Sequence, residues 1–560
     1  MAMPALGGGP IPAPENFPVT WETPEHAQLL WFWDQMHHPH PVTPLTEAID
    51  GPAFTGGIGK VARALFMPIK TFHVSSFNCY WYFGNEPLIE APDETAARDK
   101  RLEAEMMRRA PRVLQDWDNV YFPEVMTLNE RLRDYPYADA STNELAGFLD
   151  EVCASRERQW ELHFLAVMPA MGAALQFAQV YEQTFGQPDN NEHYQMLQGY
   201  PNKSVEAGQA LYDLAQEAKA VPPVAETIRQ APADSVLSEL SRSAAGKEFV
   251  GKFNAYLDSY GWRSDQFELM DPSWREDPTP LIHNLRGYLR QDATDPRREQ
   301  AKAAAERERL VKEMLERAPD QAARNQLQML VSVAQQYLPI QENHNFYIDQ
   351  MNTVLLRLPV LELGRRLTAA GALTDANDVF YLTPDEIQDA AAELSRSGPD
   401  GAWRGLTAQR RAERQRWAGV LPPIFLGTAP DGAAPREAIM DRFFGLGLEP
   451  SREPKVITGH GASKGVVTGR AKVVRNLSES DKLEPGDVLV CEMTMPPWTP
   501  LFSIVSAVVA DSGGVLSHCA IVAREYGIPC VVGTIVGTQR IKDGQTLTVD
   551  GARGIVRIDG

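Results

Sequence analysis

The chain has 560 residues, of which 43% are hydrophobic and 23% are charged. This is the composition of a globular protein, and the length exceeds what one hydrophobic core supports, so at least two domains are expected. The net charge of −20 argues against general binding to nucleic acid or to anionic membranes, because both require an excess of lysine and arginine.

Neither the first residues nor the cysteines indicate secretion. Residues 1–22 are rich in glycine and proline, which predicts an extended lead-in. They lack the charged start and apolar run of a signal peptide, and no stretch reaches eighteen consecutive apolar residues. The five cysteines include no C-x-x-C pair, so neither a disulfide framework nor a zinc ribbon is indicated. We therefore expect a cytoplasmic protein that binds no membrane and no nucleic acid.

Residues 23–426 have the sequence pattern of a mainly helical domain. The segment 296–318 is dense in alanine, glutamate, arginine and leucine, and it predicts a helix with a wide polar face that packs along one narrow stripe. Another helix is predicted to begin at Ser141 or Thr142, with Glu144 placed to complete a capping box.

A segment rich in glycine, proline and charge, 427–454, predicts a linker. After it, residues 455–560 contain short β-branched runs separated by glycine, aspartate and proline, the pattern of strands joined by turns. The strand runs are VVTGRAKVV, DVLVCEM, SAVVADS, IPCVVG, QTLTVDG and GIVRIDG. The chain is therefore expected to be a multidomain α+β protein, with a large helical domain and a smaller C-terminal α/β domain.

The most informative segment is DSGGVLSHCAIVAREYGIPCVVG, residues 511–533. A strand precedes it, Gly513 and Gly514 predict a tight turn, and Ser517 stands where a helix N-cap belongs. His518 then lies in the first turn of a helix, where free amide groups and the helix dipole favour negative charge.

A neutral imidazole at this place is a nucleophile near pH 7, and attack on phosphorus would leave a phosphoryl group beside the amide donors. In this interpretation Gly513, Gly514 and Ser517 contact the phosphate on His518. The alternative is a buried histidine with a purely structural role at a strand–helix turn.

Four blocks in this part of the chain resemble the phosphohistidine, or swivelling, domain of the phosphoenolpyruvate-utilising enzymes. They are GASKGVVTGRAKVV, LEPGDVLVCEMTMPPWTPLF, GGVLSHCAIVAREYGIPCVVG and DGQTLTVDG, in the family's order and spacing. The family includes pyruvate, water dikinase, pyruvate phosphate dikinase, rifamycin phosphotransferase and phenylphosphate synthase. The resemblance implies that the C-terminal domain is a swivelling β/β/α domain and that His518 is its phosphorylated histidine. Lys464 stands where many members have proline, and Cys519 replaces a common alanine.

Two further residues of these blocks are weaker phosphate-binding candidates. Thr494 precedes two prolines and is equally typical of a turn. Arg524 is six residues after His518, and residues six apart on a helix do not face each other squarely. Arg524 could instead bind loop carbonyls, pair with Glu525 or contact a partner domain.

The first 450 residues resemble, more weakly, the substrate-binding middle region of rifamycin phosphotransferase and the large subunit of phenylphosphate synthase-like enzymes. No nucleotide-binding motif is apparent, since TGGIGKVA at 55–62 lacks the first glycine and the Ser/Thr of a P-loop. In phenylphosphate synthase-like systems the ATP-grasp domain is a separate polypeptide. The resemblance therefore implies a partner ATP-grasp subunit that binds ATP and magnesium. The matching blocks are HPHPVTPLTEAI, MLQGYPNKSVEAG, YGWRSDQFELMDPSWREDP and QENHNFYIDQM.

This large domain must bind an acceptor hydroxyl and remove its proton. The aromatic segment 72–86 could line a pocket for a flat ring, although such aromatics are also typical of a core. Arg263 could hold an acidic group or a phosphate, or form a structural ion pair, and His73 is a second substrate-binding candidate. The candidates for the base are His40, His73, His193, Glu342 and His344, of which His40, Glu342 and His344 lie in blocks that carry the resemblance.

We therefore expect the substrate-binding and phosphocarrier subunit of a two-component, ATP-dependent dikinase. It would phosphorylate an aromatic, most simply phenolic, hydroxyl through a phosphohistidine in aromatic-compound catabolism, giving aryl phosphate, AMP and phosphate. Two alternatives remain open: an antibiotic phosphotransferase component of the rifamycin type, and a regulatory phosphoprotein related to pyruvate, water dikinase.

Overall fold

The computed structural model of the chain describes residues 8–186, 192–290, 295–396, 401–430, 442–445 and 451–559. Within these residues a large, mostly helical domain with an antiparallel sheet precedes a C-terminal α/β domain. The expected multidomain α+β class is confirmed.

The large domain is built mainly from helices joined by short turns. In chain order they are α1 (Pro44–Leu65), α2 (Pro92–Arg109), α3 (Val113–Asp116), α4 (Phe122–Arg133), α5 (Thr142–Phe185), α6 (Glu192–Gln195), α7 (Lys203–Ala220), α8 (Pro222–Gln230), α9 (Val236–Leu240), α10 (Ala244–Tyr260), α11 (Thr279–Arg290), α12 (Pro296–Arg317), α13 (Gln321–Ala334), α14 (Tyr337–His344), α15 (Met351–Ala369), α16 (Pro384–Arg396) and α17 (Ala402–Trp417). Two π-helical turns span Trp117–Tyr121 and Asn345–Gln350, and 3-10 turns span His26–Gln28, Ala110–Arg112 and Ala376–Tyr381. The C-terminal domain has two further 3-10 turns, Leu477–Lys482 and Pro496–Ser503.

Both helices that the sequence singled out are present. Ser141 caps α5, its backbone N–H donates to the Glu144 carboxylate at 2.8 Å, and the Glu144 N–H donates to the Ser141 hydroxyl at 3.2 Å. Helix α12 buries only Pro296, Leu310 and Met314, which is the narrow stripe expected. By length and hydropathy α5 is a candidate membrane span, and 61% of its most apolar window is buried inside the protein, as in the core helix of a globular domain.

A five-stranded antiparallel sheet in the large domain was not anticipated. Its strands are β1 (Gly9–Ile11), β2 (Leu30–Trp33), β3 (Ile69–Phe77), β4 (Tyr80–Pro87) and β5 (Phe425–Ala429), in the order β1-β5-β2-β4-β3.

This sheet shows that the predicted lead-in and linker boundaries were wrong. The first strand, within 1–22, pairs with the last strand of the domain, and Phe17 is fully buried. That last strand crosses the boundary placed between 426 and 427. A pairing between segments some 400 residues apart leaves no local sequence signal, because each strand is too short to show a period. Most of the predicted linker, at 431–441 and 446–450, lies outside the described residues.

The C-terminal domain contains an eight-stranded mixed sheet, and all six strands predicted from the β-branched runs are confirmed. Its central strands β8, β9, β10 and β11 run parallel, and the others pair antiparallel. In the order β6-β13-β12-β8-β9-β10-β11-β7, the strands are β6 (Val456–Thr458), β13 (Ile555–Ile558), β12 (Thr546–Asp550), β8 (Val466–Val473), β9 (Val488–Cys491), β10 (Ala507–Ala510), β11 (Cys530–Val532) and β7 (His460–Ser463). The helices are α18 (His518–Glu525) and α19 (Gly537–Arg540).

The two domains are docked through a shared apolar core and buried hydrogen bonds. The Gly199 N–H donates to the Glu525 carboxylate at 2.8 Å, and the Tyr337 hydroxyl donates to the Leu516 carbonyl at 3.3 Å. Leu516 precedes α18 and Glu525 is its last residue, so the docking contacts hold both ends of this helix. The shared core includes Leu285, Tyr288, Leu501 and Ile504.

His193, a predicted base candidate, is buried between tyrosine rings and is expected to make stability depend on pH. Burial, with repulsion from Arg442 and Arg524, lowers its pKa to about 3. The unfolded chain takes up this proton near pH 6.5, whereas the folded chain does not, so stability should fall by about 1.4 kcal/mol per pH unit as pH drops from 6.5 towards 3. Urea unfolding from pH 6.5 to 4.5 measures this slope. His193→Phe should reduce this slope by about 1.4 kcal/mol per pH unit. His40→Ala, at an exposed site, is the control and should leave the slope unchanged. Equal slopes in all three proteins would contradict the assignment.

Candidate active site

The start of α18 has the predicted local structure, with one difference. Gly513 adopts φ +91°, and a Cβ there would lie 2.8 Å from the Ser517 hydroxyl, so the turn requires glycine. Ser517 has the extended backbone of an N-cap, but its side chain caps no amide. Its Oγ is buried and has no hydrogen-bond partner in the described part of the chain. This hydroxyl is therefore available to another group beside His518.

His518 contacts the large domain directly. Its Nδ1 lies 3.2 Å from Oε1 of Glu342, and its Nε2 lies 3.4 Å from Oγ1 of Thr499. A carboxylate only accepts hydrogen bonds, so Nδ1 carries a proton. In the neutral imidazole the lone pair is then on Nε2, the nitrogen that faces Thr499.

Glu342 is ionised despite its burial. Burial opposes ionisation, but His518, the hydrogen bond from Ser204 and the charge of Arg263 outweigh it and hold the pKa of Glu342 below its usual range. The Ser204 hydroxyl donates to Oε2 at 2.5 Å. The carboxylate is thus fixed in position and in charge, as required of a group that orients an imidazole.

The predicted phosphate contact of Arg524 does not match its position. Its Nη1 donates to the carbonyls of Ala462 and Val515 at 3.0 and 2.8 Å, and burial lowers its pKa to about 10. It ties the helix to strand β7 and to the loop before the helix, and bonding to carbonyls is one of the alternatives weighed from the sequence. Thr494 is buried, but Thr499, which the sequence analysis passed over, is the threonine that reaches His518.

A short segment, Arg442–Gly445, occupies the glycine turn. The N–H of Gly514 donates to the Phe443 carbonyl at 2.7 Å, and the N–H of Leu516 donates to the Arg442 carbonyl at 2.9 Å. A Cβ at Gly445 would lie 2.2 Å from the Gly513 carbonyl oxygen, so the two chains are in close contact. The Gly514 amide, predicted to bind phosphate, is therefore engaged by protein in this docked state.

An aromatic pocket opens in the helical domain beside this contact. Its cavity has a volume of about 160 Å³. The residues that line the pocket are mostly aromatic, and polar side chains are grouped at one end. The lining includes Phe32, Phe54, Phe72, Trp81, Phe83, Trp160, Phe164, Phe443 and Phe444, and at the polar end Asp34, His37, Gln341, His163, His344 and Asp349.

The structure separates the other predicted acceptor-side residues. His344 lines the pocket, whereas His40 pairs with Glu492 at 3.5 Å and is exposed. His73 pairs with Glu86 at 2.8 Å and does not line the pocket, although the preceding Phe72 does. Side chains alternate across a strand, so the prediction chose the wrong face at this position.

Arg263 is buried close to Glu342 and does not line the pocket. Its guanidinium stacks over the Phe346 ring at 4.7 Å, its Nη2 donates to the Lys203 carbonyl at 3.5 Å, and its Nε has no partner within the described ranges. Its positive charge therefore acts on the Glu342–His518 pair, while the predicted substrate contact stays a prediction.

Two family models match the chain. The rifampicin phosphotransferase fourth domain matches residues 163–342, and the mobile domain of PEP-utilising enzymes matches residues 483–554. The first match ends at Glu342 and the second contains His518, the two residues that meet at the domain interface. Two segments of the chain are thus similar to domains of phosphoenolpyruvate-utilising enzymes. The mobile-domain match contains helix α18, at whose start His518 lies.

Relatives of known name cover the chain to different extents. Chondramide synthase cmdD of Chondromyces crocatus is 38% identical over 98% of this chain and 14% of its own length. The uncharacterised phosphotransferase YvkC of Bacillus subtilis (strain 168) is 29% identical over 92% of this chain and 60% of its own. Rifampicin phosphotransferase of Streptomyces sviceus is 31% identical over 71% of this chain and 44% of its own. The chain therefore spans less than two thirds of each of these relatives.

Proposed function

We propose that this chain is a phosphotransferase component that carries a phosphoryl group on Nε2 of His518 and delivers it to a hydroxyl of a ring-containing acceptor bound in the aromatic pocket. The observation that carries the proposal is the His518–Glu342 contact. It docks the carrier histidine against α14, the helix whose residues Gln341 and His344 form part of the pocket wall.

The proposed reaction has three steps. Nε2 of His518 attacks the β-phosphorus of ATP and releases AMP, and water then splits off phosphate. The acceptor oxygen finally attacks the remaining phosphorus as the P–N bond breaks, and the hydroxyl proton passes to Nε2. The imidazolium formed stays paired with the Glu342 carboxylate, whose charge stabilises it. His518 is not among the described residues that line the pocket, so the acceptor hydroxyl must reach beyond that lining to meet Nε2 while the His518–Glu342 pair is kept.

The proposed donor is a separate ATP-grasp subunit that binds ATP and magnesium, working with this chain in the cytoplasm. Support comes from the sequence, where no nucleotide-binding motif is recognised. The experiment is labelling with [β-³²P]ATP, which should mark His518 only when the partner is present.

The acceptor class is tested by a panel of phenol, 1-naphthol and rifampicin. The aromatic wall of the pocket supports an aryl acceptor, and the similarity to rifampicin phosphotransferases supports a large one. Aryl phosphate and AMP formed from phenol or 1-naphthol favour the catabolic role. Turnover of rifampicin alone favours the antibiotic-modifying role, and phosphohistidine without any acceptor turnover favours a regulatory phosphoprotein.

Phe72→Ala is expected to raise the acceptor Kd about tenfold, because it removes a ring from the pocket wall. Trp81 and Trp160 line the same pocket, so quenching of tryptophan fluorescence reports binding without any phosphoryl donor. His73→Ala, on the other face of the same strand, is the matched control and should bind normally. Equal affinity in the two variants, both folded by thermal melting, would place the acceptor elsewhere.

A further inference from the structure

A π-helical turn brings together two side chains that an α-helix would separate. Asn345–Gln350 forms this turn directly after α14. In an α-helix, residues five apart point in different directions, whereas the wider turn of a π-helix places them on one face. Nε2 of His344 consequently lies 3.4 Å from Oδ2 of Asp349.

A third side chain joins them from another helix. Nδ1 of His163, on α5, lies 2.9 Å from Oδ1 of Asp349, and one donor atom from each of the three residues lies within 4.8 Å of the others. Nδ1 of His344 lies 2.7 Å from the Ile340 carbonyl and must donate to it, since a carbonyl only accepts. Nε2 is therefore the ring nitrogen of His344 that faces the carboxylate, and it is the atom that could ligate a cation there.

Unpartnered oxygens beside the cluster point to the same kind of ligand. Gln341 is 8% exposed, lines the pocket one helical turn before His344, and its Oε1 has no hydrogen-bond partner among the described residues. Oδ1 of Asn345 is likewise buried without a partner in this part of the chain, while its amide donates to Asp349. Two orphaned acceptor atoms next to two imidazoles and a carboxylate favour a positively charged guest.

We propose that His163, His344 and Asp349 form a binding site for one divalent transition-metal ion at the polar end of the aromatic pocket. Two imidazole nitrogens and one carboxylate oxygen suit Zn²⁺, Co²⁺, Fe²⁺ or Mn²⁺, and they disfavour Ca²⁺ and Mg²⁺, which select oxygen ligands. Oxygens of Gln341 or Asn345, directly or through water, would complete the coordination.

The site follows from the residues alone, whereas its role rests on the proposed function. An ion there faces the pocket, and its Lewis acidity would lower the pKa of a coordinated acceptor hydroxyl. That hydroxyl would then lose its proton more readily at the transfer step.

The test is titration of the EDTA-treated full-length chain, free of any histidine tag, with Co²⁺. We expect one equivalent to bind, with visible absorption bands and a rise in Tm. His163→Ala, His344→Ala and the conservative Asp349→Asn should each weaken binding at least tenfold and remove the rise in Tm. His73→Ala should behave as wild type.

Failure of wild type to bind a stoichiometric ion, or equal Co²⁺ affinity in folded triad variants, would overturn the site. Asp349→Asn keeps shape and volume, so it remains informative if an alanine variant does not fold. No phosphoryl transfer enters these measurements, so the metal site and the proposed function fail independently.

Discussion

His518→Ala is expected to abolish phosphoryl transfer, with a loss of at least about a thousandfold, because it removes the atom of this chain that is proposed to bond to phosphorus. Intact-mass or acid-labile ³²P analysis of the complete system should show one phosphoryl group on the wild-type chain and none on the variant. Binding of the acceptor, followed by tryptophan fluorescence, should be unchanged.

His460→Ala is the matched control, because His460 belongs to the same domain and lies against the same segment, 3.4 Å from the Gly445 carbonyl. The His460→Ala protein should still be phosphorylated on His518. Retained turnover in the His518 variant, or a phosphorylated residue elsewhere in wild type, would refute the carrier role.

Glu342→Ala should slow the transfer to the acceptor roughly 10- to 100-fold and leave phosphorylation of His518 unchanged. The contact joins the two domains, so it exists only while the carrier is docked on the acceptor side. Losing a hydrogen bond to a charged group costs about 1.5–3 kcal/mol, which corresponds to that range of rates. Single-turnover transfer from pre-phosphorylated protein separates the two half-reactions.

Glu342→Gln refines this result, since an amide oxygen still accepts from Nδ1 but carries no charge. An intermediate rate would show that both orientation and charge contribute. Glu306→Gln is the control at the same interface: its pair with Lys464, at 3.5 Å, is solvent-exposed and should contribute little. Slowed labelling of His518 in the Glu342 variants would place this carboxylate in the first half-reaction instead.

Helix α18 was predicted well from local sequence signals. The glycine turn, the start of the helix at His518 and its end before Gly527, at φ +65°, all follow from rules that act within a few residues. The six predicted strands of the same domain also follow from local signals, because each is a short β-branched run bounded by turn residues.

Features that depend on distant contacts were not predictable in the same way. The choice between Thr494 and Thr499 depends on how the Pro496–Ser503 turn sits over the helix, which spacing does not encode. Glu342 was a candidate only because its block resembles the family, and its contact with His518 joins residues 176 positions apart.

The residues that line the aromatic pocket were likewise only partly predictable from the sequence. The aromatic run was recognised, but His73 was selected where Phe72 faces the pocket, because a hairpin alternates its faces and the sequence was interpreted as helical there. The cluster of His344 with Asp349 requires a π-helical turn, and no sequence rule applied here anticipates one.

The segment Arg442–Gly445 makes occupancy of the pocket and departure of the carrier interdependent. Its carbonyls hold the amides beside His518, while its rings, Phe443 and Phe444, form part of the pocket wall. If the domain swings away as proposed, either those hydrogen bonds break or the rings withdraw. A molecule bound against these rings would therefore stabilise the docked state of the domain. Because linkage is reciprocal, docking would increase the affinity for that molecule by the same free energy. Acceptor loading would thus lengthen the time the charged carrier stays in place, and an empty pocket would let it return to its donor sooner.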